Sequence, residues 1–359
     1  MAVSAAPQAA SRSVAAGGER AVQAWLIAVA ALVFSMVVVG GATRLTESGL
    51  SITEWQPLLG AIPPLSERDW LGAFEKYKAI PEYSVVNAGM SLSEFKFIYW
   101  WEWTHRLLGR LIGVVFAVPF LAFWLSGRLR PGFPLKLAGV LALGGLQGFI
   151  GWYMVKSGLI DRIDVSQYRL ALHLLTAFSI LSLLVWLALD AGPENLRVRL
   201  RTVTRGQWRF AAILFALIFV QAGLGALVAG LKAGHTYNTW PLMDGRLVPE
   251  GLGQLSPWYL NVFENVTTVQ FDHRVVGYVV VALALWQVAA LARTADDERL
   301  IGSAGLLAAV LLAQMGLGIA TLVLGVPIWM GLAHQAGAAV VIVAATIHLY
   351  GMTRAASRA

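Results

Sequence analysis

Of 359 residues, 58% are hydrophobic and 13% charged, with a mean hydropathy of +0.67, and the apolar residues fall in long unbroken runs, the pattern of a polytopic membrane protein. The absence of cysteine excludes disulfides, thiolate metal sites and iron–sulfur ligation. The net charge of +7 is sorted by membrane side, so it reflects topology and not nucleic-acid binding.

Residues 1–21 are rich in Ala and Ser and lack an apolar h-region, so they read as a disordered cytoplasmic tail and not as a secretory signal. Apolar runs of about 20 residues or more then give eight spans, roughly 22–44, 96–125, 135–156, 167–190, 209–230, 265–292, 300–323 and 328–351. They are expected to be helices, because barrel strands alternate instead of running apolar throughout. Spans one to four form an N-terminal half, 22–192, and a basic cytoplasmic linker, 193–208, follows. Spans five to eight form a C-terminal half, 209–352, and 353–359 is a second cytoplasmic tail. Arg12 and Arg20, then Arg128, Arg130 and Lys136, then Arg197, Arg199, Arg201, Arg205 and Arg209 mark the tail and the even connections as cytoplasmic, and both termini with them. The opposite connections are balanced in charge, as in ERDW and EKYK, or nearly uncharged, as in LGVPIW.

The two halves echo each other. GLSITEWQPLLGAIPP follows span one and GHTYNTWPLMDGRLVP follows span five, and Gly49 and Gly234, Trp55 and Trp240, Gly60 and Gly245, and Pro64 and Pro249 share one offset of 185 residues. EWTHRLLGRLIG in span two likewise resembles QFDHRVVGYVVV in span six, at an offset of 168 because the second loop is shorter. The expected fold class is an all-α polytopic membrane protein, with eight transmembrane helices in two duplicated four-helix bundles. An even number of spans per half gives both copies one orientation, related by a pseudo-twofold along the membrane normal.

Four of the six histidines, His105, His173, His273 and His334, lie near the starts of spans two, four, six and eight. All four spans enter from the outer side. At about 1.5 Å per residue they sit roughly 9 to 15 Å below their helix starts, at matching depth in the outer leaflet. A lone intramembrane histidine is ordinarily an interhelical hydrogen-bonder. Four at one depth, duplicated between halves and without a carboxylate cluster beside them, point to axial ligation of haem iron, in the pairs His105 with His173 and His273 with His334. Zinc would call for three or four ligands at one point. His348 lies about 20 Å further along the same helix as His334 and has no histidine at the corresponding place in the other even spans, so it reads as structural. His235, in the loop sequence AGHTYN, is either an interfacial residue or a contact to a haem edge.

Glu102 and His105, three residues apart, share a helix face, so Glu102 is expected to look toward the cavity of the first histidine pair. The duplicate carries Gln270 in its place. One half therefore keeps a titratable group beside its cofactor site where the other has an uncharged isostere. The bland alternative is an i,i+4 ion pair of Glu102 with Arg106.

The motifs GGATRLTESGLSITEWQP, EWTHRLLGRLIG, AGLKAGHTYNTWPLMDG, FDHRVVGY and AHQAGA together resemble haem A synthases of the alphaproteobacterial and mitochondrial type, over nearly the whole chain. The resemblance implies an oxidoreductase that oxidises the C8 methyl of haem O to a formyl group by successive hydroxylations, giving haem A for cytochrome c oxidase. It implies that His273 and His334 ligate a resident haem b, and that His105 and His173 hold the substrate haem beside a catalytic Glu102. It further implies a bacterial inner membrane with the haem sites toward the periplasm. Bacillus-type members have a cysteine pair in the outer loops, which this chain lacks.

Arg44, Arg106 and Arg274 are candidates for haem propionate contacts or for snorkelling anchors, and Trp55 and Trp240 mark the two loops as candidate lids. Expected partners are haem O, a haem O synthase, an electron-transfer partner and membrane lipid, with no nucleic acid; a homo-oligomer is left open. Two other functions compete. A di-haem cytochrome acting only in electron transfer would explain the histidines but not the contrast of Glu102 with Gln270, and a transporter, suggested by the repeats, would not need paired histidines.

Overall fold

A computed structural model describes residues 6–56, 59–161, 164–192, 203–295 and 297–356. In chain order, α1 (Ala6–Leu45) is followed by two short helices of the first connection, α2 (Glu67–Lys78) and α3 (Pro81–Val85). Then come α4 (Leu92–Leu125), α5 (Phe133–Asp161) and α6 (Gln167–Ala191). The second half comprises α7 (Arg205–Gly230), the single turn α8 (Asn261–Glu264), α9 (Val266–Thr294), α10 (Glu298–Val323) and α11 (Ile328–Ala356). All but α2, α3 and α8 are long and apolar enough to cross a membrane, giving the eight expected spans. Among the described residues there is no strand, only an isolated bridge between Met243 and Arg246.

In the first half α1 packs on α4, α4 on α5, α5 on α6 and α6 on α1; in the second, α7 packs on α9, α9 on α10, α10 on α11 and α11 on α7. Each half is thus a ring of four helices. The rings join along α1 and α6 on one side and α7 and α11 on the other. Leu26, Phe178, Leu181, Leu184, Leu214, Leu307 and Ile342 fill the common core. Leu111, Val114, Val118, Leu121 and Leu125 of α4 are exposed at helical spacing, the face that lipid would cover.

A second core lies at the end of the bundle that carries the long first connection. The amphipathic α2 buries Trp70, Phe74 and Tyr77, spaced at four and three residues, against Phe95, Ile98 and Tyr99 of α4 and Leu50 of the loop. Its start is fixed by a capping box between Ser66 and Asp69, and α4 starts in the same way with Ser91 and Glu94. That second box starts α4 at Leu92, four residues earlier than the apolar run alone suggests.

The N-terminal stretch differs from expectation. From Ala6 onward the residues expected to be a disordered tail belong to α1, consistent with a composition rich in Ala and free of Pro after Pro7. Residues 1–5, most of the basic linker (193–202) and 357–359 lie outside the described residues. The second tail expected at 353–359 is helical through Ala356, where α11 ends.

Candidate functional site

The four histidines on α4, α6, α9 and α11 are each met by a glycine of the preceding span. A Cβ added at Gly40 would lie 3.2 Å from His105 Nε2, and one at Gly151 would lie 3.1 Å from His173 Cε1. At Gly225 it would lie 3.0 Å from His273 Cε1, and at Gly318 2.7 Å from His334 Cε1. The close approach of helix backbone to imidazole is what requires glycine at these positions. In each half the two histidine-bearing helices belong to one ring of four, α4 and α6 in the first and α9 and α11 in the second.

Glutamines accompany three of these glycines, four residues earlier. Gln147 Nε2 donates to the His173 carbonyl at 3.0 Å, Gln221 Nε2 to that of His273 at 3.0 Å, and Gln314 Nε2 to that of His334 at 2.7 Å. The repeated Q-x-x-x-G spacing was present in the sequence and could have revealed them.

The residues fit an iron-bound macrocycle. His173 Nδ1 and His273 Nδ1 are buried without a hydrogen-bond partner, as are the Oε1 atoms of Gln147, Gln221 and Gln314. A histidine whose Nδ1 carries the proton leaves Nε2 free to bind iron. Among the described residues no three His, Asp or Glu side chains converge as a metal cluster.

Glu102 is 2% exposed, and its carboxylate is fully engaged. Oε2 accepts from Ser51 Oγ and from the Ile52 N–H, both at 2.7 Å. Oε1 accepts from Arg106 Nη2 at 2.6 Å and Nε at 3.1 Å. The ion pair with Arg106 is therefore real, but it is part of a larger clamp. Arg106 also donates to the carbonyls of Ile52 at 2.8 Å and Glu54 at 3.1 Å, and Arg110 to that of Gln56 at 3.0 Å. The loop segment 52–56 is thereby laid along residues 102–110 of α4.

The second half repeats this arrangement. Arg274 donates to the carbonyls of Tyr237 and Thr239, both at 2.9 Å, and Gln270 Nε2 to that of Tyr237 at 3.1 Å. Tyr237 and Thr239 stand 185 residues after Ile52 and Glu54. Arg44 donates to the Ala229 carbonyl across the two halves. Trp55 is exposed and meets Trp152 edge-on, at 6.4 Å between centroids, while Trp240 Nε1 donates to the Tyr278 hydroxyl at 2.9 Å. His348 is buried between Gln287, at 3.3 Å, and Ser303, at 2.9 Å, the partners of a core histidine. His235 is exposed, in a 3-10 turn spanning Ala233–His235.

One acid was not anticipated. Glu82 of α3 is 4% exposed, and its Oε2 has no hydrogen-bond partner. Burial, chiefly, and then the charges of Glu102, Glu47 and Asp164 push its carboxyl up to about 8, against the opposing pull of Lys232. No spacing or motif distinguishes this glutamate in the sequence; only the packing of α3 does.

The family model COX15-CtaA, cytochrome oxidase assembly protein, matches residues 23–346. A heme A synthase of Beijerinckia indica is 53% identical over 344 residues, covering 94% of each chain. Those of Chelativorans sp. and Agrobacterium fabrum are 52% and 50% identical, covering 91% and 92% of this chain and 90% of their own lengths.

Proposed function

The chain belongs to the COX15-CtaA family of cytochrome oxidase assembly proteins and has haem A synthase function, the oxidation of haem O to haem A, and from that premise we propose how its residues divide the work. It is a multi-pass membrane protein. We assign it to the bacterial inner membrane, with both termini cytoplasmic because the basic connections lie on that side, and with the histidine pairs toward the periplasm. The halves are two copies about a pseudo-twofold. In support, residues 185 apart meet each other between the halves: Arg44 bonds the Ala229 carbonyl, and Lys232 bonds Glu47 at 3.1 Å.

In this reading His105 and His173 hold the iron of the substrate haem O. His273 and His334 hold a resident haem b, which when bound supplies a route for electrons leaving the substrate. The observation that carries the division is the contrast between two otherwise matching clamps, one closed on Glu102 and the other on Gln270. At that position only the first half has a negative charge to offer a reacting group.

The mode of action of Glu102 follows from its bonds. A carboxylate has about four lone-pair positions, and here four donor contacts occupy them. Glu102 is therefore a fixed negative charge, held without reorganisation, which stabilises cationic character on the carbon undergoing hydroxylation; it is not a free base. Arg106 and Arg274 hold the loops shut over the two sites. The buried Nε–H of Arg274, which has no acceptor, remains for a haem propionate. Electrons pass on to a separate carrier, and substrate is delivered by a haem O synthase.

Extraction of pigments from the purified protein tests the assignment. One haem b and one haem bearing the haem O side chain are expected, with the low-spin haem b signal lost in His273→Ala and His334→Ala. Two unmodified haems in the wild type would instead make the protein an electron carrier.

A further inference from the structure

Three of the four histidines are cross-linked to the preceding span by a glutamine amide, and the fourth is not. Four residues before Gly40, where α5, α7 and α10 carry Gln147, Gln221 and Gln314, α1 carries Met36. The correspondence is structural as well as sequential. Met36 Cε lies 3.3 Å from a Cβ built on Gly109, and Gln221 Nε2 lies 3.1 Å from one built on Gly277. Gly109 and Gly277 each stand four residues after their histidine, His105 and His273. Met36 and Gln221 thus fill the same slot, between the cradle glycine and the helical turn that follows the histidine.

The chemistry of the slot differs. An amide donates to the histidine carbonyl, which ties the histidine's helical turn to the preceding span. A thioether is a flexible apolar filler, a weak acceptor and no donor. His105 also sits differently in its cradle. It turns Nε2 toward its glycine, where the other three histidines turn Cε1.

We infer that Met36 makes His105 the releasable ligand of the first-half haem, so that substrate enters and product leaves by exchange at this one imidazole while His173, His273 and His334 stay locked. This rests on the proposed assignment of His105 and His173 to the substrate haem. A site whose haem is substrate has to let it go, and a resident cofactor site does not. Release breaks the iron–nitrogen bond with its electron pair remaining on the imidazole, so no oxidant or reductant is consumed. Met36 is a positioning residue in this scheme, since it acts through His105.

The experiment measures transfer of haem from the purified, loaded, full-length protein to an excess of apomyoglobin, with the identity of the departing haem read by chromatography. Met36→Gln should slow departure of the first-half haem about fivefold to tenfold, the weight of one hydrogen bond, and shift its low-spin electron paramagnetic resonance toward that of the second half. Met36→Leu should keep the fast release. Gln221→Met should hasten departure of haem b by a similar factor. Unchanged release in a loaded Met36→Gln protein overturns the inference. If that variant does not load, Gln221→Met decides: unchanged haem b release overturns it equally. Equal slowing by Met36→Leu would trace the effect to packing and overturn the role of the amide. Failure of the underlying assignment looks different, because His105→Ala and His173→Ala would then leave the first-half haem bound with an unaltered spectrum.

Discussion

Glu102 and Gln270 meet the loops that follow α1 and α7 at corresponding positions and hold them with opposite polarity. Glu102 accepts the Ile52 N–H at 2.7 Å, whereas Gln270 donates to the carbonyl of Tyr237, the counterpart of Ile52, at 3.1 Å. The neighbouring arginines bond the same pair of loop carbonyls in each half. In the proposed division, the clamp is kept in both halves while a negative charge stands at this position in the first half alone.

Glu102→Gln tests that charge. Its new amide N–H₂ would face either Arg106 or the Ser51 and Ile52 donors, leaving a buried donor without an acceptor at a cost of about 1–3 kcal/mol. Loss of the fixed charge should lower haem A formation by about 10² to 10³, with haem O accumulating. Extraction and chromatography of haems from cells at matched protein levels provide the measure, and limited proteolysis between residues 46 and 56 reports any loosening of the clamp. Wild-type haem A yield would remove Glu102 from the chemistry and leave it a loop anchor.

Ser51→Ala separates a fixed charge from a base. The substitution removes one donor from Glu102 Oε2 but leaves the Ile52 N–H and both Arg106 bonds. Haem A formation should stay within about tenfold of the parent, the effect of one net hydrogen bond. A loss as deep as that of Glu102→Gln would mean that the Ser51 hydroxyl itself takes part in proton movement.

The spans were legible because lipid requires continuous apolar runs, and the four histidines stood out because so few are present; their pairing on iron belongs to the proposed reading. The clamp was legible only in part. An i,i+4 relation predicts the Glu102–Arg106 pair, but nothing in the local sequence says that Ile52, Glu54 and Gln56 return to α4 some fifty residues away. The helix α2 was announced by Ser66-x-x-Asp69 and by Trp70, Phe74 and Tyr77, yet a loop read only as a lid hides them. Glu82 could not be read at all, because its burial depends on where α3 packs.

Glycine cradles predict a graded response to a single methyl group. In an ordinary helix Gly→Ala raises propensity by about 1 kcal/mol, so a loss of haem would run against the local backbone trend. Gly318→Ala should be the more damaging, since its Cβ would lie 2.7 Å from His334 Cε1, and Gly40→Ala the milder, at 3.2 Å from His105. The ratio of low-spin haem to protein gives the answer. Full haem content in Gly318→Ala would show that the ring has room and that the glycines serve helix packing alone.

Glu82 gives the folded protein a pH dependence with a definite sign. Its carboxyl is raised from an ordinary value of 4.5 to about 8, mainly by burial, with Glu102, Glu47 and Asp164 adding to the shift and Lys232 opposing it. Tyr77, its other titratable neighbour, is itself pushed upward by burial first and by the Glu82 charge second. Between about pH 4.5 and 8 the folded state keeps a proton that the unfolded carboxyl releases, so stability falls as pH rises through this window and levels off above it. Glu82→Gln removes the titration while keeping the shape. Thermal unfolding in detergent should give matching Tm values for parent and variant near pH 4.5, with the parent falling progressively below the variant by pH 8. Parallel curves across the window would show that Glu82 is solvated or paired in the folded state, and that α3 does not bury its carboxyl against the second core.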